Sequence, residues 1–260
     1  MLRHTPDLTI ALSQTEIQQI AQAAPGSVWY VGGEPNVISS VGSAEMTAII
    51  EKLHYYYTEI RAADPTARIT SPSLLNWEFV CNNTCAGYAR GKDWAVEFRL
   101  QYLSRYGAEP PVDIWAIDVY PLDWAHLPTT NSAIPLSQIT GLREYLNSVP
   151  ALASKPIWVT ELSLHWGWDA HAENVPGCTT WAPAGTYRTA EVISYLETVY
   201  SWLETFSDTM KVEKWFTFIT YVDIWHCRSD GFAGLSLFDG PSPGASLTAV
   251  GQFYKLRSSP

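Results

Sequence analysis

Two stretches of sequence decide the fold: residues 156–166 read PIWVTELSLHW, and residues 28–36 read VWYVGGEPN. Each is a short and nearly continuous apolar run that ends at an acidic residue, Glu161 in the first and Glu34 in the second. Runs of this kind are typical of strands that are buried on both faces of a parallel sheet. The sequence therefore predicts two buried strands that carry glutamates at their carboxyl ends.

Strand and helix patterns alternate along the rest of the chain. Helices are predicted near residues 13–24, 44–63, 92–106, 136–147, 187–206 and 247–256, and strands at 28–31, 67–71, 112–120, 156–162 and 213–221. This alternation predicts an α/β fold with a parallel sheet and helices outside it, either a (β/α)8 barrel of the TIM type or a doubly wound sheet. The long segments that follow strands are rich in Trp, Asp, His and Cys, which favours the barrel. No linker divides the chain, so residues 1–260 are predicted to form a single domain.

The composition excludes several classes of protein. With 16 Lys and Arg against 26 Asp and Glu, the net charge of −10 does not suit a partner with a phosphate backbone, so no nucleic acid is expected. No apolar run is long enough to span a membrane. No HExxH motif or close histidine pair indicates a metal, and no cofactor is expected. The 12 Trp and 14 Tyr residues suit stacking on sugar rings, although most such residues in any fold belong to the core.

The four cysteines suggest an extracellular protein. Cys81 and Cys85 bracket the short segment CNNTC, whereas Cys178 and Cys227 lie alone in later segments. The even count predicts two disulfides, Cys81–Cys85 and Cys178–Cys227, with a four-thiolate zinc site as the weaker alternative. Disulfides favour an extracellular location. The first residues, MLRHTPDLTIALS, lack the apolar core of a signal peptide, so the natural N-terminus is expected to be missing from this chain.

The two glutamates indicate a chemistry. A carboxylate at the end of a buried strand costs desolvation free energy unless it is paired or used, and a salt bridge would explain either one alone. Neighbouring strands can bring both carboxylates to one point. Glycoside hydrolysis requires such a pair, because one carboxyl group protonates the leaving oxygen while the other attacks the anomeric carbon or activates water. Glu34 and Glu161 together, with aromatic segments around them, favour catalysis.

Both segments resemble parts of a known superfamily. WYVGGEPN resembles the acid/base segment at the end of strand four in retaining glycoside hydrolases of clan A, and PIWVTELSLHW resembles their nucleophile segment at the end of strand seven. The segments SPSLLNWEF, GYARGKDWAVEF and VDIWAIDVYPLDW are similar to bacterial relatives of the fungal alkali-sensitive-linkage glycosyl hydrolase family. The resemblance implies a retaining β-glycoside hydrolase acting on a polysaccharide, such as a β-glucan, with Glu34 as acid/base and Glu161 as nucleophile.

Further site residues follow from the resemblance and from the strand ends. By resemblance, Tyr120 positions the nucleophile and Trp215 forms the floor of the subsite beside the cleaved bond. Asp118, Asn36 and Trp166 are further candidates for contact with the sugar. Each has an alternative: Asp118 could pair with an arginine, Asn36 could cap the following turn, and Trp166 could pack beneath its own segment.

The sequence also departs from the family pattern. Gly33 stands where the family usually has Asn, and the His-x-Tyr of strand six reads Asp118-Val119-Tyr120. If Glu34 ends strand four, three strands should precede it, yet only residues 7–12 are available. The first two strand–helix units are therefore expected to be absent, leaving at most six strands. Exposed sheet edges would then favour self-association, unless an altered sheet closes the gap or the reading frame is truncated. A catalytically impaired, truncated barrel that binds carbohydrate is the alternative function.

Overall fold

The computed structural model of the protein describes residues 12–78, 88–123, 129–164, 189–221 and 235–258. Helices and strands alternate through these residues. The helices are α1 (Gln14–Ala23), α2 (Pro35–Ile38), α3 (Ala44–Ala63), α4 (Gly91–Tyr106), α5 (Ala133–Ser148), α6 (Thr189–Met210) and α7 (Ala249–Ser258). The strands are β1 (Val28–Trp29), β2 (Arg68–Ile69), β3 (Leu74–Leu75), β4 (Trp115–Val119), β5 (Ile157–Leu162) and β6 (Val212–Thr217).

All strand pairs between these elements are parallel. β1 pairs with β2, and a second sheet has the order β3, β4, β5, β6. Two isolated parallel bridges, Gly33 to Ser73 and Thr70 to Ile114, connect the two sheets into one continuous series. Successive strands with helices between them confirm the predicted α/β fold with the strand order of a TIM-type barrel.

The strand predicted at residues 67–71 extends further than the sequence pattern indicates. β2 and β3 lie one after the other beside the segment that contains β4, because Thr70 bridges Ile114 and Leu74 pairs with Ile117 on β4. Pro72 interrupts the ladder between them, as expected for a residue without an N–H donor. The segment after residue 71 was predicted to be a long loop, and this was wrong for its first residues because a second short strand begins there.

In the described part of the chain the sheet has two edges. β1 is hydrogen-bonded only to β2, and β6 only to β5, while residues 7–11 of the predicted first strand lie outside the described residues. Arg68 and Glu213 nevertheless form a bidentate ion pair between β2 and β6, with N–O distances of 2.7 and 2.6 Å. Because β2 and β6 are not neighbours in the series, this contact shows that the sheet curves strongly, as in a barrel.

The helices cover the outside of the sheet as their apolar patterns predict. α1 begins at a capping box near the predicted start of the helix, in which the Ser13 hydroxyl accepts from the Glu16 N–H and the Glu16 carboxylate accepts from the Ser13 N–H. α3 has the predicted bounds, and its buried face includes Leu53 and Tyr57. Large side chains such as Trp94, Trp115 and Phe98 are fully buried between helices and sheet. Local periodicity thus accounts for the helical layer.

Several predictions concern residues outside the described part of the structure. Cys81, Cys85, Cys178, Cys227 and Trp166 all lie there, so the two disulfides and the aromatic contact of Trp166 remain predictions. Among the helices that the structure describes, none has the length and apolar character needed to cross a lipid bilayer.

Candidate active site

Glu34 lies at the turn that follows β1. Its N–H donates a 2.7 Å hydrogen bond to the carbonyl of Ser73, which joins this turn to the start of β3. The backbone of Glu34 has φ 46° and ψ 47°, in the left-handed region that non-glycine residues rarely occupy. Such a conformation costs on the order of 1–3 kcal/mol and is concentrated at functional sites. Pro35 then begins the short helix α2, so the position of Glu34 is set by a tight and strained turn.

Asn36 holds this turn from behind. Its side chain is fully buried, its amide donates to the carbonyls of Leu75 at 3.0 Å and Ala89 at 2.9 Å, and its Oδ1 accepts from the N–H of Leu75 at 2.9 Å. The prediction that Asn36 contacts the sugar is therefore corrected. All three contacts of its amide are made to the protein backbone, so it clamps the Glu34 turn to β3 and to the start of α4.

Glu161 lies within β5. β5 pairs with β4 through a register shift that places Asp118 opposite Glu161. The Tyr120 hydroxyl donates a hydrogen bond to Glu161 Oε2 at 2.6 Å. Burial raises the pKa of Tyr120 well above its usual range, and the charge of Glu161 acts in the same direction. Tyr120 therefore remains a hydrogen-bond donor to the carboxylate at every ordinary pH.

Asn76 holds the backbone of Tyr120 in place, as Asn36 does for the Glu34 turn. Its Oδ1 accepts from the N–H of Tyr120 at 2.9 Å, and its Nδ2 donates to the carbonyl of the same residue at 3.0 Å. Asn76 is fully buried and has φ 47°. The two asparagines were not predicted as a pair. Asn76 directly follows β3, where asparagine tolerates the left-handed region and bonds backbone groups, whereas Asn36 lies within α2.

The carboxyl groups of Glu34, Asp118 and Glu161 form one cluster. One oxygen from each lies within 4.8 Å of the other two. Both glutamates are half-buried, whereas only 1% of Asp118 is exposed. Burial raises the pKa of Asp118 well above its usual range, and the negative charges of Glu161 and Glu34 raise it further. The strand ends thus bring the two predicted catalytic residues together with a third acid beneath them.

Among the described residues, these three acidic side chains are close enough together to hold one metal ion. Their proximity alone does not indicate that an ion binds. Hydroxyl groups surround Asp118 instead. The Thr160 hydroxyl donates to Asp118 Oδ1 at 2.7 Å and lies 2.6 Å from the Ser73 hydroxyl. Neutral hydroxyl donors of this kind can hydrogen-bond a carboxyl group in either of its protonation states.

Tyr30 is a member of the site that the sequence analysis missed. Its hydroxyl is hydrogen-bonded to Ser73 and lies close enough to Asp118, Glu161 and Glu34 for their charges to raise its pKa, to which burial contributes most. A Cβ atom placed on Gly33 would lie 3.2 Å from the Tyr30 hydroxyl. Glycine at position 33 therefore leaves room for this hydroxyl. The available signal was the aromatic residue within the strand that ends at Glu34.

A cavity of about 630 Å³ opens beside Glu161. Its aromatic lining consists of Tyr30, Trp158, Phe216, Phe218 and Tyr254. A concave site with flat apolar rings and a few polar groups suits a ligand that is itself a ring with hydroxyls.

Trp215 lies elsewhere. Together with Tyr200 of α6 and Tyr254 of α7 it lines a separate depression of about 290 Å³. Successive residues of a strand point to opposite faces, and Phe216 rather than Trp215 faces the cavity beside Glu161. The prediction that Trp215 forms the floor of the subsite is therefore corrected: the alternation along β6 directs it to the helices.

Comparisons with known proteins agree with this fold. The catalytic domain of glycoside hydrolase family 53 from Ignisphaera aggregans is 15% identical with a TM-score of 0.50, over 88% of this chain and 62% of that one. A glucosidase from Croceicoccus marinus is 12% identical with a TM-score of 0.54, over 86% of this chain and 43% of that one. The catalytic core of a xylanase A is 16% identical with a TM-score of 0.54, over 94% of this chain and 70% of that one.

The chain therefore spans 62% and 43% of the lengths of the first two structures, and at these identities the likeness concerns the fold. A search of curated proteins found no match. The model of one protein family, described as the glycosyl hydrolase catalytic core, matches residues 13–254. This match confirms the relationship to clan A glycoside hydrolases that the two glutamate segments indicated. Because it covers nearly the whole chain and includes both glutamates, this protein belongs to the glycosyl hydrolase catalytic core family.

Proposed function

We propose that this chain is a retaining β-glycoside hydrolase in which Glu34 is the acid/base and Glu161 the nucleophile. One observation carries the proposal: oxygens of the two carboxyl groups lie within 4.8 Å of each other. Retaining enzymes hold their carboxyl groups ~5–5.5 Å apart, whereas inverting enzymes need ~6.5–9.5 Å to admit a water molecule. The short separation supports direct attack of one carboxylate on the sugar.

The proposed reaction has two steps. First, the Glu161 carboxylate attacks the anomeric carbon while Glu34 donates its proton to the glycosidic oxygen, so the C–O bond breaks and a glycosyl ester forms. Then the Glu34 carboxylate takes a proton from water, the water oxygen attacks the anomeric carbon, and Glu161 leaves. The hydrogen bond from Tyr120 to Glu161 Oε2 orients the nucleophile and stabilises its charge when it departs.

The proposed substrate is a polysaccharide, and a β-glucan is our first choice. The rings of Tyr30, Trp158 and Phe216 offer apolar faces for sugar units beside Glu161. We also propose an extracellular setting, where such polymers and the predicted disulfides both occur.

Hydrolysis of a panel of β-glucans, xylan, mannan and galactan tests the proposal, with Glu34→Gln and Glu161→Gln measured beside the wild type. We expect the wild type to release reducing sugar and each variant to lose activity by about 10²-fold or more. NMR of the first-formed product distinguishes the stereochemistry, because retention gives the β-anomer. An α-anomer as the first product would contradict the retaining mechanism.

Azide assigns the two roles. On an activated aryl β-glycoside, Glu34→Ala should be rescued by azide with formation of a β-glycosyl azide, because the ester intermediate still forms. Glu161→Ala should instead give the α-glycosyl azide, because azide replaces the missing nucleophile. The opposite pairing of product and variant would reverse the assignment of the two glutamates.

A carbohydrate-binding protein is the second candidate function. It is supported by the two sheet edges in the described residues. The same edges support self-association, which sedimentation velocity tests. No hydrolysis of any polymer, together with a rise in melting temperature on addition of oligosaccharides, would favour this second function.

A further inference from the structure

Asp118 lies beneath the glutamate pair, and the proposed reaction does not use it. It belongs to β4 and is the register partner of Glu161 on β5. With 1% of its surface exposed, it is the most buried of the three clustered acids. A buried carboxylate carries a large desolvation cost unless charged or hydrogen-bonding groups compensate for it. Whether Asp118 is protonated or charged therefore depends on which groups face it.

Among the described residues, the titratable groups that face Asp118 are all acids. Glu34 and Tyr30 face it from the β1 segment, Glu161 from β5, and Tyr120 from the end of its own strand. None of these can supply a positive charge. At each step of the proposed reaction one of the two glutamates carries a negative charge, and a second negative charge on Asp118, within 4.8 Å, would be opposed by it.

The hydrogen bonds around Asp118 accommodate a proton. Thr160 Oγ1 lies 2.7 Å from Asp118 Oδ1 and 3.3 Å from the carbonyl of Ile117, so its single hydrogen can be donated to either. When Asp118 is protonated, its carboxyl group donates to Thr160 Oγ1, and the Thr160 hydroxyl donates to the carbonyl of Ile117. Asp118 Oδ2 is buried and has no hydrogen-bond partner among the described residues. An unpaired oxygen is far less costly on a neutral acid than on a carboxylate.

We propose that Asp118 is a positioning residue that works in its neutral, protonated form and holds the two glutamates in register through the Thr160 and Ser73 hydroxyls. Ser73 extends this network to the Glu34 side, because its carbonyl accepts from the Glu34 N–H and its hydroxyl is bonded to Tyr30. A neutral Asp118 also avoids a further negative charge that would make Glu161 a weaker leaving group and Glu34 a poorer acid. The inference rests on the proposed function for its kinetic part only.

The first test is independent of any activity. The native state keeps the Asp118 proton to a higher pH than the unfolded chain does, so the proton costs stability increasingly as pH rises from about 4 towards the raised native pKa. Asp118→Asn removes this cost. We therefore expect its melting temperature to exceed that of the wild type by a margin that widens between pH 4 and 8. Asp208→Asn, the same change at an exposed site, should show no such trend.

The second test uses turnover. If Asp118 is neutral at work, Asp118→Asn keeps the hydrogen-bonding neutral group, so kcat should stay within about threefold of the wild type while Asp118→Ala loses about tenfold or more. The acid limb of the pH–rate profile should not move in Asp118→Asn. A charged Asp118 predicts the reverse: asparagine would lose activity as severely as alanine does, and the acid limb would shift to lower pH because a negative neighbour is gone.

The two measurements separate the possible failures. A melting-temperature margin that is constant or that narrows with rising pH would overturn the neutral Asp118, whether or not the protein hydrolyses any substrate. A widening margin with no detectable hydrolysis by the wild type would leave the neutral acid in place and contradict the proposed function instead. A widening margin with equal losses in the asparagine and alanine variants would overturn the positioning role.

Discussion

The two glutamates reach the same point by different means. Glu161 is part of β5, a six-residue strand paired on both sides, and the sheet ladder and the Tyr120 hydrogen bond set its position. Glu34 follows β1, a two-residue strand paired on one side, and depends on a strained backbone and on side-chain clamps. The comparison teaches that the Glu34 region should be the more sensitive of the two to the loss of a single polar side chain.

The largest effect should come from Asn36→Ala. Three backbone groups would lose their partners in a buried place, at about 1–3 kcal/mol for each group left unsatisfied, so we expect a loss of about 3 kcal/mol or more in the free energy of unfolding. Urea denaturation measures it. Asn131→Ala is the matched control, because Asn131 is exposed and its side chain accepts a single backbone hydrogen bond, from Ala133. Equal losses in the two variants would contradict the clamp.

Tyr120→Phe perturbs the Glu161 region without breaking its scaffold. The backbone clamp by Asn76 remains, while the 2.6 Å hydrogen bond to Glu161 is lost. A hydrogen bond to a charged group contributes about 1.5–3 kcal/mol, so kcat should fall by about 10- to 100-fold with little change in stability. Tyr145→Phe is the control, because the Tyr145 hydroxyl is buried with no partner among the described residues. If both variants keep wild-type kcat, the orienting role of Tyr120 is wrong.

Gly33→Ala sharpens the account of the Glu34 region. The added Cβ would lie 3.2 Å from the Tyr30 hydroxyl, which must move by a few tenths of an ångström, and we expect a loss of about 1 kcal/mol in unfolding free energy. Removing the hydroxyl should relieve the contact. Chemical denaturation of Gly33→Ala, Tyr30→Phe and the double variant gives the coupling energy. Simple additivity of the two changes would show that the hydroxyl does not occupy this space.

The smallest effect should come from the ion pair between β2, which is the neighbour of β1, and β6, which is the neighbour of β5. Arg68 and Glu213 join β2 to β6, but their side chains are 38% and 35% exposed, so solvent screens the pair. We expect a coupling energy of about 0.2–1 kcal/mol from the cycle of Arg68→Gln and Glu213→Gln, and a lower value in 1 M salt, at which the Debye length is about 3 Å. A coupling that is unchanged by salt would indicate a pair shielded from solvent.

Much of the fold could be predicted because it depends on local patterns. The bounds of α3 and the capping box of α1 follow from residues within a few positions of one another. The predicted strands at 112–120 and 156–162 contain β4 and β5, because continuous apolar runs are typical of buried parallel strands. The break between β2 and β3 was missed, since a two-residue strand has no periodicity to detect.

The side chains of the site also divide into those that could be predicted from local sequence and those that could not. Glu34, Glu161 and Tyr120 could be predicted because each lies at a strand end, and strand ends of a parallel sheet meet at one edge. The contacts of Asn36 with Leu75 and Ala89 join residues about 40 and 50 positions apart, so no window of sequence contains both partners. Trp215 was placed in the site by family resemblance, and neither the resemblance nor a strand pattern states which face of β6 is inward in this chain.

By itself, the sequence determined the alternation of strands and helices, the family and the pair of strand-end glutamates, since periodicity and residue type are local properties. Only the tertiary structure decided that Asp118 lies beneath this pair and that Tyr30 shares its hydroxyl network. It also decided that asparagine clamps hold both strand ends. The physical reason is that these contacts depend on the order of strands and on the register shift between β4 and β5, which arise from packing across the whole sheet.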